Sequence, residues 1–174
     1  MKYSESLANE LLIHGIVRGY GLQGGSVSHL IDSYINLGGD FCFHHHEQHS
    51  AFAATGDYLA SNIIPVVFIS TGPAGTNAIT GLLGAYQDSI PIIFISGQAR
   101  SDQLSYKNNV RQIGSQEAPI LDVVRPLTKW SKLVEQNDST TLLVEEAIRV
   151  ATSDRNGPVW LDVPIDIQLL EVNS

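Results

Sequence analysis

PVVFISTGPAGTNAITGLLGAYQDSIPIIFIS, residues 65–96, decides the fold of this 174-residue chain. Two apolar runs, PVVFIS from Pro65 and PIIFIS from Pro91, flank a glycine-rich turn and a segment of helical composition. Continuous runs of β-branched and aromatic residues are typical of strands that are covered on both faces, as in a parallel sheet. The stretch therefore predicts a strand, a turn, one helix and a second parallel strand, which together form a βαβ unit.

The segments on either side of this unit continue the alternation of helices and strands. Upstream we predict a helix that ends near Gly15, a helix over residues 27–37, a strand over 40–46 and a helix over 47–60. Downstream we predict a long polar loop over 96–118, a strand over 130–134, a helix to residue 151 and a strand over 158–164. About six strands that alternate with helices predict an α/β fold, a three-layer α/β/α sandwich with a mostly parallel sheet, in a single domain over residues 1–174.

Composition and charge exclude several classes of protein. With 43% hydrophobic and 16% charged residues, the sequence is that of a globular domain. Its net charge of −8 argues against a nucleic-acid partner, and no apolar run is long enough to span a membrane. The lone cysteine, Cys42, cannot form an internal disulfide, so we expect a cytoplasmic protein. Because Cys42 lies in the apolar run FCF, we expect it to be a small buried core residue.

HHHEQHSAF, residues 44–52, contains four of the six histidines and one carboxylate. His45 and His49 are spaced i, i+4 and could share a helix face as zinc ligands, but HEQH is not the HExxH motif. A polar strand end with hydrogen-bonded histidines is the other interpretation. A zinc-dependent hydrolase therefore stays open as an alternative function, although we assign no metal ligand.

The motifs taken together resemble one family over nearly the whole chain. They are YGLQGGS, HEQHSAFAATGDYLA, FISTGPAGTNAITGLLGAYQDSIPIIFISGQ, RQIGSQEAPILDVVRPLTKWSKLV and GPVWLDVPIDIQ. In order and spacing they resemble the N-terminal, pyrimidine-binding domain of thiamine diphosphate-dependent enzymes, in particular the acetolactate synthase branch. In this resemblance, Glu47 rather than the histidines carries the chemistry of HHHEQ.

The resemblance implies a role for each matched residue. Glu47 would be catalytic, because it would hydrogen-bond N1′ of the aminopyrimidine and favour the tautomer whose imino nitrogen takes the proton from thiazolium C2. Gln116 would be a second catalytic residue that faces the reacting centre. The residues implied to bind the cofactor are Leu22, Gln23, Gly24, Glu47, Ser70, Pro73 and Asn77.

The family holds the diphosphate and Mg²⁺ of the cofactor with a GDG motif in another domain. No GDG occurs in this sequence, where Gly39-Asp40 continues into Phe41. We therefore expect the diphosphate-binding and middle domains to be absent from this chain. They would lie elsewhere in a longer protein or in a partner subunit, within a homodimer or tetramer, and whether FAD is bound in a middle domain stays open. We expect the isolated chain to be inactive.

The reaction implied by the resemblance is decarboxylation or carboligation of 2-oxo acids. Gln23 stands where the family has proline and His49 where it has a small residue, so another 2-oxo acid or a sugar-derived substrate is an alternative to the acetolactate synthase substrate. A non-catalytic regulatory or interaction module that retains the fold is the alternative function.

Overall fold

The computed structural model describes residues 1–105 and 110–172 and contains one six-stranded sheet. The strands are β1 (Arg18–Gly21), β2 (Asp40–Phe43), β3 (Val66–Ile69), β4 (Ile93–Gln98), β5 (Trp130–Leu133) and β6 (Val159–Pro164). Their order is β2-β1-β3-β4-β6-β5, and every neighbouring pair is parallel. The predicted α/β class and six-stranded sheet are thus confirmed.

Helices cover both faces of the sheet. They are α1 (Tyr3–Ile13), α2 (Ser28–Asn36), α3 (Glu47–Ser61), α4 (Pro73–Asn77), α5 (Ile79–Gln87), α6 (Ile120–Val124), α7 (Thr140–Thr152) and α8 (Ile165–Gln168). Helices α1, α2, α7 and α8 form one hydrophobic core with the sheet. Helices α3, α5 and α6 form a second core on the other face. The alternation along each strand explains this division, because Val66 and Phe68 face the first core while Val67 and Ile69 face the second.

The prediction of a single helix between β3 and β4 is wrong, because two helices, α4 and α5, occupy that stretch. Ala78 ends the first and precedes the second. Its N–H bonds to the carbonyl of Gly75, three residues back, at 3.2 Å. This tight turn interrupts the i→i−4 pattern of an α-helix, which composition alone does not reveal.

The prediction that Cys42 is a buried core residue is also wrong. Its side chain is exposed. The cause is the position of β2 at the edge of the sheet, where three of its four residues are exposed. This strand also ends at Phe43 and not at His46 as predicted.

The long loop after β4 is present as predicted and includes a 3₁₀ turn over Ser101–Gln103. Residues 106–109 of that loop lie outside the described residues. Within the described ranges, no helix combines the length and apolar character that crossing a bilayer requires.

Candidate functional site

The predicted site residues lie in segments that follow the carboxyl ends of β1, β2, β3 and β4. These ends share one edge of the sheet because the strands are parallel. Strands β1 and β3 are neighbours, yet the helices that follow them pack on opposite faces. Such a reversal of connection opens a crevice at the strand ends, and ligands of α/β sheets bind at this place.

Glu47 and Asn77 are brought together at this edge although they are 30 residues apart in sequence. Glu47 is the first residue of α3, after the helix N-cap His46, and only 7% of it is exposed. The Nδ2 atom of Asn77, the last residue of α4, donates to Oε2 of Glu47 at 3.0 Å. The N-terminus of a helix favours a carboxylate. Two residues predicted from the resemblance therefore form one contact.

The turn after β1 packs closely against the end of β3. A Cβ added to Gly24 would lie 2.6 Å from the Cβ and Oγ atoms of Ser70, so no side chain fits there. The hydroxyls of Ser26 and Ser70 are hydrogen-bonded at 2.9 Å, and the N–H of Thr71 donates to Ser26 Oγ at 3.0 Å. Gly24 and Ser70 therefore belong to one local structure.

Leu22 and Gln23 begin this turn. Leu22 is half-buried, whereas Gln23 is exposed. The amide of Gln23 donates to Ser28 Oγ at 3.1 Å, so its side chain turns back toward α2. The hydrogen bond of the Gln23 side chain is therefore made to α2 and not to Ser70.

Gln116 lies against the turn that joins β3 to α4. Gly72 has φ +63°, and a Cβ there would lie 2.1 Å from the carbonyl oxygen of Gln116. Gln116 itself has φ +56° and an exposed side chain. Pro73, the first residue of α4, follows Gly72 and is exposed.

A cavity of about 250 Å³ opens beside this contact. Its lining includes Ser70 and Gln116, together with Thr71 and Gln98, but neither Glu47 nor Asn77. The predicted residues thus form two groups, the Glu47–Asn77 pair and the cavity of Gln116. The stretch from Ser70 to Asn77 joins them along the chain.

The histidines do not form the zinc pair considered from the sequence. His45 precedes α3, so His45 and His49 do not share a helix face. Instead the rings of His46 and His49 are 5.6 Å apart, and His44 Nδ1 lies 3.3 Å from Ser50 Oγ. Burial, and then the neighbouring His49 and His45, lower the pKa of His44. In the part of the chain that the structure describes, no three His, Cys, Asp or Glu side chains are grouped as metal ligands.

A buried polar network beside the cavity was missed by the sequence analysis. Its members are Thr71, Ser96, Gln98, Trp160 and Asp162, each 5% exposed or less. Thr71 Oγ1 donates to Gln98 Oε1 at 2.6 Å, and Gln98 Nε2 donates to Asp162 Oδ2 at 2.8 Å. The signal was present, since Ser96, Gln98 and Asp162 interrupt otherwise apolar buried strands.

A comparison with known protein families identifies the domain. The family model described as "Thiamine pyrophosphate enzyme, N-terminal TPP binding domain" matches residues 1–121. The chain belongs to this thiamine pyrophosphate enzyme family. The resemblance inferred from the motifs is thereby confirmed.

Relatives of this thiamine pyrophosphate enzyme domain include large subunits of acetolactate synthase. The chain is 34% identical over 165 residues to acetolactate synthase isozyme 3 large subunit of Escherichia coli (strain K12), a match that covers 94% of the chain and 28% of that protein. It is 43% identical over 127 residues to acetolactate synthase 3, chloroplastic, of Brassica napus, which covers 71% of the chain and 18% of that protein. The chain therefore spans less than a third of the length of these relatives.

Proposed function

We propose that this chain is the pyrimidine-binding part of a thiamine diphosphate-dependent enzyme of the acetolactate synthase-like group. The observation that carries the proposal is Glu47, a buried carboxylate at the carboxyl edge of the sheet. Asn77 Nδ2 donates to its Oε2 atom at 3.0 Å, and only 7% of Glu47 is exposed. A carboxyl group held at this edge of the sheet can also hydrogen-bond a ligand that binds there, so the arrangement fits a ring nitrogen as a further partner.

Thiamine diphosphate, when bound, supplies an aminopyrimidine ring with a basic nitrogen, N1′, and a thiazolium ring whose C2 carbon reacts. In our proposal Glu47 shares a proton with N1′, and Asn77 fixes the carboxyl group for that exchange. The close approach of Gly24 to Ser70 holds the turn after β1 in place beside the ring, with Leu22 and Gln23 at its start. Pro73 and Gly72 set the start of α4, which carries Asn77.

The remainder of the active site would come from outside this chain. The sequence has no GDG motif, so the diphosphate and Mg²⁺ would be held by a diphosphate-binding domain of the same protein or of a partner subunit. Exposed apolar side chains on α3 and α5 offer a surface for such a domain; they are Phe52, Leu59, Leu83 and Tyr86. A homodimer or tetramer that acts on a 2-oxo acid is the assembly we infer, with Gln116 at the reacting centre.

Glu47→Gln tests the proposal in the assembled protein that contains this domain. The amide retains the size of Glu47 but cannot exchange a proton, so we expect kcat/KM for a 2-oxo acid to fall by about 10²–10⁴-fold. Glu145→Gln is the matched control, because Glu145 is exposed on α7 and should leave kcat/KM unchanged. Steady-state decarboxylation and carboligation assays with pyruvate provide the measurement.

Two outcomes would contradict the proposal. If Glu47→Gln leaves activity intact, Glu47 does not activate the cofactor, and the chain serves as a non-catalytic regulatory module. If the pure 174-residue chain decarboxylates pyruvate with thiamine diphosphate and Mg²⁺, the second half of the site is not needed and the division of labour is wrong.

A further inference from the structure

Gln98, at the end of β4, forms the wall between two cavities. One is the 250 Å³ cavity that Gln116 lines. The other measures about 320 Å³ and is lined by Gln98, Glu117 and Asp162 among mainly apolar residues. Gln98 is only 2% exposed although it borders both. A change in the orientation of its amide would therefore alter the cavity that Gln116 lines.

The hydrogen bonds of Gln98 admit one orientation of its amide. Its Oε1 accepts from Thr71 Oγ1 at 2.6 Å and from the N–H of Ala99 at 2.9 Å. Its Nε2 must then donate, and it does so to the carbonyl of Ala118 at 3.1 Å and to Asp162 Oδ2 at 2.8 Å. The Ala99 N–H and the Ala118 carbonyl are backbone groups that cannot exchange roles.

Asp162 receives donors on both of its oxygens. Ser96 Oγ donates to Oδ1 at 2.5 Å, while itself accepting from Trp160 Nε1 at 2.8 Å. Gln98 Nε2 donates to Oδ2. The ionised carboxylate therefore satisfies the network. Protonation of either oxygen removes the charge that strengthens the hydrogen bond from Gln98 Nε2 to Oδ2, and a proton on Oδ2 itself would also oppose that N–H, so the amide of Gln98 is held less firmly when Asp162 is neutral.

The segment that Gln98 holds is the one that carries Gln116. Gln98 binds the carbonyl of Ala118, and Thr71 Oγ1 lies 3.5 Å from the carbonyl oxygen of Gln116. The same carbonyl of Gln116 contacts Gly72. Residues 116–118 are therefore held from one side by the amide of Gln98 and from the other by the turn after β3.

We propose that Asp162 is a positioning residue which, through Gln98, sets the location of Gln116 according to the protonation state of the Asp162 carboxyl. The importance of Gln116 in catalysis rests on the proposed function, whereas the coupling itself rests on the contacts above. Protonation of Asp162 loosens the bond from Gln98 to Ala118 and shifts residues 116–118. Ionisation restores it.

The midpoint between the neutral and the ionised carboxyl of Asp162 lies in a range of pH that experiments can reach. Burial raises the pKa of Asp162 to about 7, against the lowering effect of the bonds from Ser96 and Gln98. The charged groups that face it across the larger cavity are Glu117 from the loop and Asp122 and Arg125 at α6. Glu117 is held by Ser105 through N–H and hydroxyl bonds of 3.1 and 2.7 Å. Asp122 and Arg125 pair with each other at 3.2 Å near the surface.

The test is a pH titration of the ¹⁵N-labelled chain by nuclear magnetic resonance. We expect the indole N–H of Trp160 and the amides of Ala99 and residues 116–118 to shift with one shared midpoint near pH 7. Asp162→Asn should abolish this midpoint. Asp122→Asn, which removes a carboxyl that lines the same cavity but is exposed, should leave it in place.

A second variant keeps the test decisive if Asp162→Asn does not fold. Ser96→Ala removes one donor to the ionised carboxylate, so the shared midpoint should move to higher pH. A midpoint that persists in Asp162→Asn, or one at Trp160 that leaves residues 116–118 unmoved, would overturn the coupling.

In the assembled enzyme, the pH profile of kcat distinguishes a positioning role of Asp162 from a purely structural one. Asp162→Asn should remove an inflection near pH 7 from the pH profile of kcat, whereas Asp122→Asn should retain it. The amide titration needs no cofactor, so it can succeed even if Glu47→Gln shows the proposed function to be wrong. Conversely, a catalytic effect of Glu47→Gln without the shared midpoint would overturn only the positioning role.

Discussion

Gly72 shows how a single residue can determine the arrangement of the site. It stands between β3 and α4, with φ +63° and ψ −122°, a backbone conformation that residues with a side chain avoid. Its missing Cβ also leaves room for the carbonyl oxygen of Gln116. Both the positive φ and the close approach of Gln116 therefore require glycine at position 72.

Gly72→Ala should destabilise the domain. The backbone conformation alone costs a non-glycine residue roughly 1–3 kcal/mol, and the contact of the added Cβ with Gln116 increases this cost. Urea unfolding followed by circular dichroism measures the free energy of unfolding. Gly25→Ala is the control, because a Cβ there meets nothing within 4 Å and φ is not positive. Equal stability of the two variants would contradict this account.

Single residues also mark the limit of sequence analysis. Glu47 and Asn77 were identified through the resemblance, and their contact follows from parallel strands that end at one edge. The roles of Asp162 and Gln98 were missed, since no local spacing indicates that two polar residues on different strands will face each other. Cys42 was placed wrongly because an apolar tripeptide does not reveal that its strand lies at an edge.

At the scale of elements, α3 and α5 pack unusually close together. Gly81 of α5 is buried against Ala51 of α3, and a Cβ on Gly81 would lie 2.4 Å from the Cβ of Ala51. Ala51 lies one turn after Glu47 on the same helix. Since α5 follows directly on the helix that carries Asn77, the spacing of α3 and α5 also determines how Glu47 meets Asn77.

Gly81→Ala and Gly84→Ala form a matched pair on α5. Alanine is favoured over glycine within a helix by up to about 1 kcal/mol, and this gain applies to both variants. At Gly84 the added Cβ has only an ordinary contact, 3.8 Å from Phe52 Cε1, so we expect a more stable protein. At Gly81 overpacking should cost about 1–3 kcal/mol and outweigh the gain.

Thermal unfolding of both glycine variants, with the wild-type chain beside them, measures the difference. The Gly81→Ala variant should melt at a lower temperature than the wild type and the Gly84→Ala variant at a higher one. A stabilised Gly81→Ala variant would show that α3 and α5 can separate without loss, and that their spacing does not constrain Glu47.

Elements were predicted well where burial fixes the pattern. Strands β3, β4 and β6 lie inside the sheet and are buried along their whole length, so their continuous apolar runs were recognisable. Strand β2 was predicted three residues too long, and the break between α4 and α5 was missed. The break depends on the hydrogen bond from Ala78 to Gly75, and β2 ends at Phe43 because its pairing with β1 ends there; hydrophobic pattern reports neither.

At the scale of the whole molecule, the site depends on residues far beyond its own segments. The family match ends at residue 121, yet β6 lies between β4 and β5 and supplies Asp162. Gln168 in α8 is fully buried and donates to the carbonyl of Ser26 at 2.8 Å, which anchors the turn after β1. The last elements of the domain thus hold the first ones in place.

The free energy of unfolding of the domain should depend on pH through the titration of Asp162. Its pKa in the folded chain, about 7, lies above its ordinary value of 3.8. Between these values the folded chain binds a proton that the unfolded chain has released, so the free energy of unfolding falls as pH rises. The loss is complete above about pH 7 and is on the order of 4 kcal/mol.

Other groups titrate near the same range, so the prediction concerns the difference between wild type and Asp162→Asn. His44, whose pKa is lowered by burial, makes the chain less stable as pH falls below 6.5, and it does so in both proteins. Subtracting the Asp162→Asn curve from the wild-type curve removes that contribution. The difference should decline from about pH 4 to pH 7 and then stay constant, when measured by urea unfolding at each pH. A difference that is flat throughout, or that rises with pH, would mean that Asp162 remains ionised in the folded domain and that the network holds its charge without cost.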